Sequence, residues 1–248
     1  MSNDQRSRAL VEVVTLHPTD AERAEAGGAD RLHVCVVDGD QARSVEPGAV
    51  SSIVRATALP VRVTLRLSAG FSTMGGEFTR LRGLVTDYLS VGVEGFAFGF
   101  LTADLEVDVD VCGALADALV GAPWTFDRTF DSALQTRGAW RSIRTLPGLD
   151  AVHTSGAALG MDAGFDDLLE TASADPAFAA VAMASDGVRP EHVPWLVRAG
   201  VRRLHLGAAV RPGGSWTKSH VDDGFVRSWR SLLDDAVGRV TPQAEDAG

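Results

Sequence analysis

The sequence predicts an α/β fold, a single (β/α)8 TIM barrel, and three observations carry that prediction. Eight short apolar runs rich in β-branched residues punctuate the chain, starting at residues 10, 31, 61, 94, 123, 149, 179 and 202. Their starts lie 21 to 33 residues apart, and most gaps hold an Ala/Leu-rich segment of helical period, the cadence of repeated βα units. No Pro/Ser-rich linker divides the 248 residues, a length that one α/β barrel fills. A doubly wound open sheet is the alternative topology.

Taken in order, the runs are 10–15 (LVEVVT), 31–36 (RLHVCV), 61–66 (VRVTLR), 94–99 (EGFAFG), 123–128 (PWTFDR), 149–154 (LDAVHT), 179–184 (AAVAMA) and 202–207 (RRLHLG). Helical period is clearest over Thr19 to Ala26 and Phe78 to Ser90. The repeat GADRL (28–32), GVEGF (92–96) and GVRRL (200–204) closes a helix on glycine and opens a strand each time. Glycine suits that helix C-terminal position because it takes positive φ without a Cβ clash. The barrel domain spans 9–240, and the polar stretches 1–8 and 241–248 are expected to be disordered ends.

Composition excludes several function classes. A net charge of −10 repels nucleic-acid backbones and anionic lipid surfaces, so no nucleic-acid or membrane partner is expected. No apolar run reaches membrane-span length, and Met1 to Arg8 is too polar for a signal peptide, which points to the cytoplasm. Two cysteines, Cys35 and Cys112, make no disulfide framework. The only lysine, Lys218, lies beyond the last strand, which argues against Schiff-base chemistry on a barrel strand. No GxSxG, Walker A, HExxH or CxxC motif is present. The loops ASDGV (184–188) and GAAVRPGG (207–214) follow the last two strands, where barrels hold phosphate, but Asp186 sets a carboxylate in the first and the signal is weak.

Strand alternation turns the polar residues inward. If Leu32, Val34 and Val36 face the helices, then Arg31, His33 and Cys35 face the barrel interior, and likewise Arg62, Thr64 and Arg66, Glu12, Thr125 and Asp127, and Arg203 and His205. Buried charges need partners, and such clusters mark sites at the C-terminal end of a barrel. Glu12, Cys35, Arg66, Thr125, Asp127, Arg128 and His205 are expected to converge there. The structural alternatives are that Glu12 only pairs with Arg62 or Arg66, and that Cys35 is inert packing. His153 falls on the wrong parity and reads as structural, while His17, His192 and His220 read as surface residues.

The chain resembles the CutC family, (β/α)8 barrels associated with copper homeostasis, over roughly residues 9 to 210. The residues that carry the resemblance are Glu12 in VEVV, GADRLHVC (28–35) for the family's GADRIELC, Arg66, Gly70 and Phe71 in RLSAGF (66–71), TFDRTFD (125–131) for TFHRAFD, HTSG (153–156) for LTSG, and His205. The departures are His33 for a glutamate, Asp127 for a histidine, Phe98 for a threonine, and altered loops at 38–47 and 185–188. The resemblance implies a homo-oligomer, a dimer.

Two functions follow, with a barrel lacking catalytic activity as the third. In the first, the chain binds copper, with Cys35 and His33, two apart on one strand face, as metal ligands. In the second, it is an enzyme acting on a small anionic metabolite, a carboxylate or phosphate. Arg66, Thr125, Arg128, Ser155 and His205 then bind the ligand, and Glu12 or Asp127 is the general base. Replacing the family's histidine by Asp127 also puts a carboxylate where Arg66 can neutralise it.

Overall fold

A computed structural model describes residues 9–38 and 41–240; the expected disordered ends, 1–8 and 241–248, lie outside them. Eight parallel strands close a barrel: β1 (Leu10–Thr15), β2 (Arg31–Val34), β5 (Val61–Thr64), β6 (Gly95–Phe98), β7 (Trp124–Phe126), β8 (Leu149–Thr154), β9 (Ala182–Ala184) and β10 (Arg203–Leu206), with β10 pairing back onto β1. The single (β/α)8 barrel expected from the spacing of the apolar runs is the fold. The second run is shorter than expected: the barrel strand stops at Val34, and β3 (Val36–Asp38) pairs antiparallel with β4 (Gln41–Arg43) above the barrel rim.

Helices cover the outside: α1 (Pro18–Ala26), α2 (Pro47–Val54), α3 (Gly75–Ser90), α4 (Val109–Ala118), α5 (Thr136–Ile143), α6 (Met161–Ala174), α7 (Pro176–Ala179), α8 (Val193–Arg198) and α9 (Asp223–Val240). Proline at the first position opens α1 and α2, where its missing N–H costs nothing, and the Asp108 side chain accepts from Val111 N–H to cap α4. The last helix, α9, packs on both α8 and α1 and so closes the ring. Asp20 at the start of α1 is buried against Arg211 at 2.8 Å and also accepts from the backbone N–H groups of Leu16 and Val221, which ties the first βα turn to the last loop.

Strand parity sorts the core into two chemistries. Val11, Val13, Leu32, Val34, Val63, Leu65, Phe96, Val152 and Leu204 face the helices in one apolar layer. Phe98 belongs to that layer, stacked on Trp124 with ring centres 4.3 Å apart, and so does not line the barrel interior. The inward residues are mostly polar, and glycine makes room for them: a Cβ at Gly95 would sit 2.7 Å from the Pro123 carbonyl and 3.2 Å from Arg62 Nε.

One irregularity resets this alternation. Between β7 and β8 the register steps from Trp124↔Leu149 to Thr125↔Ala151, leaving Asp150 as an extra residue. Asp150 reaches inward at the lower end, and from Ala151 onward the parity is shifted by one. His153 therefore points into the barrel while Val152 faces the helices. The expectation that His153 lies off the interior face is corrected by this bulge. His192, expected on the surface, is buried as well: its Nδ1 accepts from Arg189 N–H at 3.1 Å and its ring stacks on Phe165.

Among the described residues, no helix is long and apolar enough to cross a membrane.

Candidate functional site

The inward side chains form three tiers. In the lowest, Arg62 makes a bidentate pair with Asp150, 2.6 Å at Oδ1, and also bonds Thr125 Oγ1. Arg203 donates to the Asp150 carbonyl at 2.8 Å. Thr125, expected to bind a ligand, is therefore fixed beneath the site by Arg62.

The middle tier is built on Glu12, fully buried on β1. Its Oε2 takes Arg31 Nε, and its Oε1 takes both His153 Nε2 and His205 Nδ1 at 2.8 Å. Burial by itself would raise the Glu12 pKa, but Arg31 and the two imidazoles together hold the carboxyl well below its ordinary value. Its ion-pair partner is thus Arg31, and not the expected Arg62 or Arg66. An ionised carboxylate only accepts, so in the neutral rings His153 carries its proton on Nε2 and His205 on Nδ1, leaving lone pairs on His153 Nδ1 and His205 Nε2. Burial, reinforced by neighbouring positive charge, pushes the His33 pKa well below 6.5 and the His153 pKa to about 4.

His33 completes the tier. Its Nε2 lies 2.8 Å from Thr64 Oγ1, and its Nδ1 is buried with no hydrogen-bond partner among the described residues. The ring centres of His33, His153 and His205 are 4.0 to 5.4 Å apart. One donor atom each from Glu12, His33, His153 and His205 all fall within 4.8 Å of one another.

The upper tier is polar but self-satisfied. Arg66 donates to the carbonyls of Gly70 and Gly99 at 2.6 Å, to Thr129 Oγ1 at 2.8 Å and to Asp127 Oδ2 at 2.9 Å. Asp127 Oδ1 accepts Thr129 N–H at 2.9 Å and so caps the short 3-10 turn Arg128–Ser132. Arg66 is engaged through Nη1 and Nη2, and Asp127 has a structural task. Arg128 pairs with Asp186 and Asp131 and donates to the carbonyls of Ala157 and Ala158 at 3.2 Å. Ser155 is buried against Asp131 Oδ2 at 2.9 Å and is not in the cavity wall.

A cavity of about 960 Å³ stands over the middle tier, with His33, His153 and His205 in its floor and Val14, Phe71, Leu206 and Trp216 in its walls. Cys35 lines it too, but burial pushes its thiol up to about 12 and its sulfur is not part of the His/Glu donor cluster. Of the expected Cys35–His33 metal pair, His33 belongs to the donor cluster and Cys35 does not. His153 is the member that sequence reasoning set aside.

Fold and site together define a (β/α)8-barrel protein with a buried imidazole–carboxylate cluster at its ligand end. The chain belongs to the CutC family, whose sequence profile matches residues 9–210. A CutC family protein of Klebsiella pneumoniae (strain 342) is 29% identical over 212 residues, covering 85% of this chain and 83% of that one. One from Enterobacter sp. (strain 638) is 28% identical over 214 residues, with 85% and 83% covered. Among solved structures, a copper homeostasis protein CutC from Streptococcus agalactiae superposes with a TM-score of 0.71 at 17% identity, over 81% of this chain and 98% of that one. A thiamine phosphate pyrophosphorylase from Pyrococcus furiosus superposes with a TM-score of 0.60 at 14% identity, over 94% and 100%, a likeness of fold alone.

The residues present fit a transition metal. Imidazole nitrogens suit copper, zinc, iron and nickel, and copper(II) binds such donors most tightly. Rings that ligate one ion tetrahedrally through nitrogens at about 2 Å have centres about 5 Å apart, close to the 5.1 and 5.4 Å that separate His33 from His205 and His153, while His153 and His205 lie closer, at 4.0 Å. Glu12 and Thr64 hold the remote nitrogens, as carboxylates and hydroxyls do behind metal-bound histidines.

Proposed function

We propose that this chain handles copper by binding the ion at the floor of its cavity, with His33, His153 and His205 as the ligating residues and Glu12 orienting two of them. The observation that carries the reading is the buried, unpartnered Nδ1 of His33, on a ring whose centre lies 5.1 and 5.4 Å from two further imidazoles that one carboxylate oxygen orients. A buried polar atom without a partner costs about 1 to 3 kcal/mol, and a bound cation removes that penalty. The family's naming supports copper among the metals such donors take. The resemblance to the family also supports a homo-oligomer, and two buried free cysteines suit the reducing cytoplasm.

Copper(II) and zinc(II) titrations of the full chain, followed by calorimetry and by metal analysis after gel filtration, test the reading. One copper per chain is expected. His33→Leu should lower the affinity at least tenfold, while Cys35→Ser changes it little. Stoichiometric copper retained by a His33→Leu/His205→Leu variant would overturn it.

A further inference from the structure

Two histidines outside the cavity meet at the protein surface, and they come from opposite ends of the sequence. His17 immediately precedes α1, His220 lies in the loop between β10 and α9, both are exposed, and their ring centres are 5.5 Å apart. Pro18 confines His17 to extended backbone, with φ −142° and ψ 158°. The His17 side chain does not cap α1 and makes no hydrogen bond among the described residues. His220 is oriented by a carboxylate, with its Nδ1 3.1 Å from Asp20 Oδ1.

Asp20 braces both histidines. It is buried, takes Arg211 Nη2 at 2.8 Å, and accepts the N–H groups of Leu16 at 3.0 Å and Val221 at 2.9 Å, the residues next to His17 and His220. Burial opposes its ionisation, but these hydrogen bonds hold the carboxyl below its ordinary value, so it accepts from His220. The neutral His220 ring then carries its proton on Nδ1 and presents the lone pair of Nε2 outward. A carboxylate behind an imidazole is the arrangement found behind metal-bound histidines, and two rings that share one ion have centres about 5 Å apart.

We infer that His17 and His220 form a second, exposed metal site that takes copper(II) with water completing its shell, and that the ion clips the first βα turn to the last loop across the seam where β10 pairs with β1. Copper(II) is the divalent ion that a small set of imidazole donors binds most tightly. The site shares no residue with the Glu12, His33, His153 and His205 cluster and does not depend on it. Two protein ligands in open water hold an ion less tightly than three buried ones, so copper here exchanges and is lost on gel filtration, and the retained stoichiometry stays at one per chain.

Copper(II) alone is the probe, added to the full chain. Calorimetry should show two steps, and either His17→Ala or His220→Ala should weaken the second by about tenfold or more while leaving the first unchanged, because two donors on one chain bind far better than either alone. The difference between pulsed EPR spectra at one and two equivalents should carry the couplings of two imidazoles, falling to one in either variant. Copper beyond the first equivalent should raise the Tm of the wild type and not that of His17→Ala, since an ion bound only to the folded seam stabilises it. A single-step titration, or a second step that survives both substitutions, overturns this inference and leaves the cavity floor standing. A step lost in His17→Ala and in His220→Ala but unchanged in His33→Leu, with no tighter step beside it, overturns the floor and leaves this site.

Discussion

His153 and His205 donate to the same oxygen, Glu12 Oε1, each at 2.8 Å, so that one buried carboxylate fixes the tautomer of two imidazoles from strands separated only by β9. Glu12→Gln keeps the shape but offers only one acceptor oxygen to three donors and leaves Arg31 uncompensated. The change should destabilise the fold by about 3 kcal/mol or more in urea melts, because it breaks a buried ion pair from one side. It should also weaken copper about 10- to 100-fold, the usual effect of losing a group that orients metal-bound histidines.

The Arg66–Asp127 pair predicts strong coupling. Either alanine substitution alone should cost about 3 kcal/mol, since each leaves a largely buried charge behind, and the double variant should recover part of that loss. Four denaturation curves close the cycle. Additive losses would show that the two groups are satisfied independently.

Asp20 predicts an acid-stability effect whose sign is fixed. Burial would raise its pKa, but hydrogen bonds from Arg211 and from the Val221 and Leu16 N–H groups bring it below 3.8. A carboxyl depressed in the folded state contributes stability that is complete above the unfolded value and is lost as pH falls through the folded value. Stability measured from pH 4 downward should therefore fall more steeply in the wild type than in Asp20→Asn, which is already weaker at neutral pH. Parallel curves would remove Asp20 from the acid transition.

Gly156 sits at φ +85°, and a Cβ there would lie 1.9 Å from the Gly164 carbonyl oxygen on α6. Gly156→Ala combines backbone strain with a clash against main chain that cannot swing aside. We expect a loss of about 3 kcal/mol or more, read as a lowered Tm.

Much of this was legible in the residues. Glu12, His33, Arg62, Arg66 and His205 follow from simple alternation, because each strand that carries them is regular and its apolar partners, such as Leu32 and Val63, fix the phase. The pairing of Asp127 with Arg66 was also foreseeable, since a carboxylate entering that tier needs a cation. Alternation failed at β8, where His153 was assigned outward: a bulge depends on how two strands register, and neither strand's own sequence states it. Arg31 was missed as the partner of Glu12 because adjacency in the barrel wall, Glu12↔Arg31, outweighs the longer reach of Arg62 or Arg66. Thr125 and Ser155 lie on the expected strands but are held by Arg62 and Asp131, and no one-dimensional pattern reports which hydroxyls are already taken.

The extra residue at Asp150 works as a phase shift whose two sides are chemically linked. Below it, the strand supplies the carboxylate that answers Arg62; above it, the same slip delivers an imidazole to the cavity floor. Deleting Asp150 would restore uninterrupted alternation with Leu149 still outward and His153 still inward, so the imidazole would stay on the floor while Arg62 lost its carboxylate. The barrel would close as before and keep its imidazole–carboxylate floor, with a buried guanidinium beneath it stripped of its counter-charge. An unbroken strand of the same length would instead turn His153 toward the helices, so the one-residue slip is what lets β8 present a polar group to both tiers.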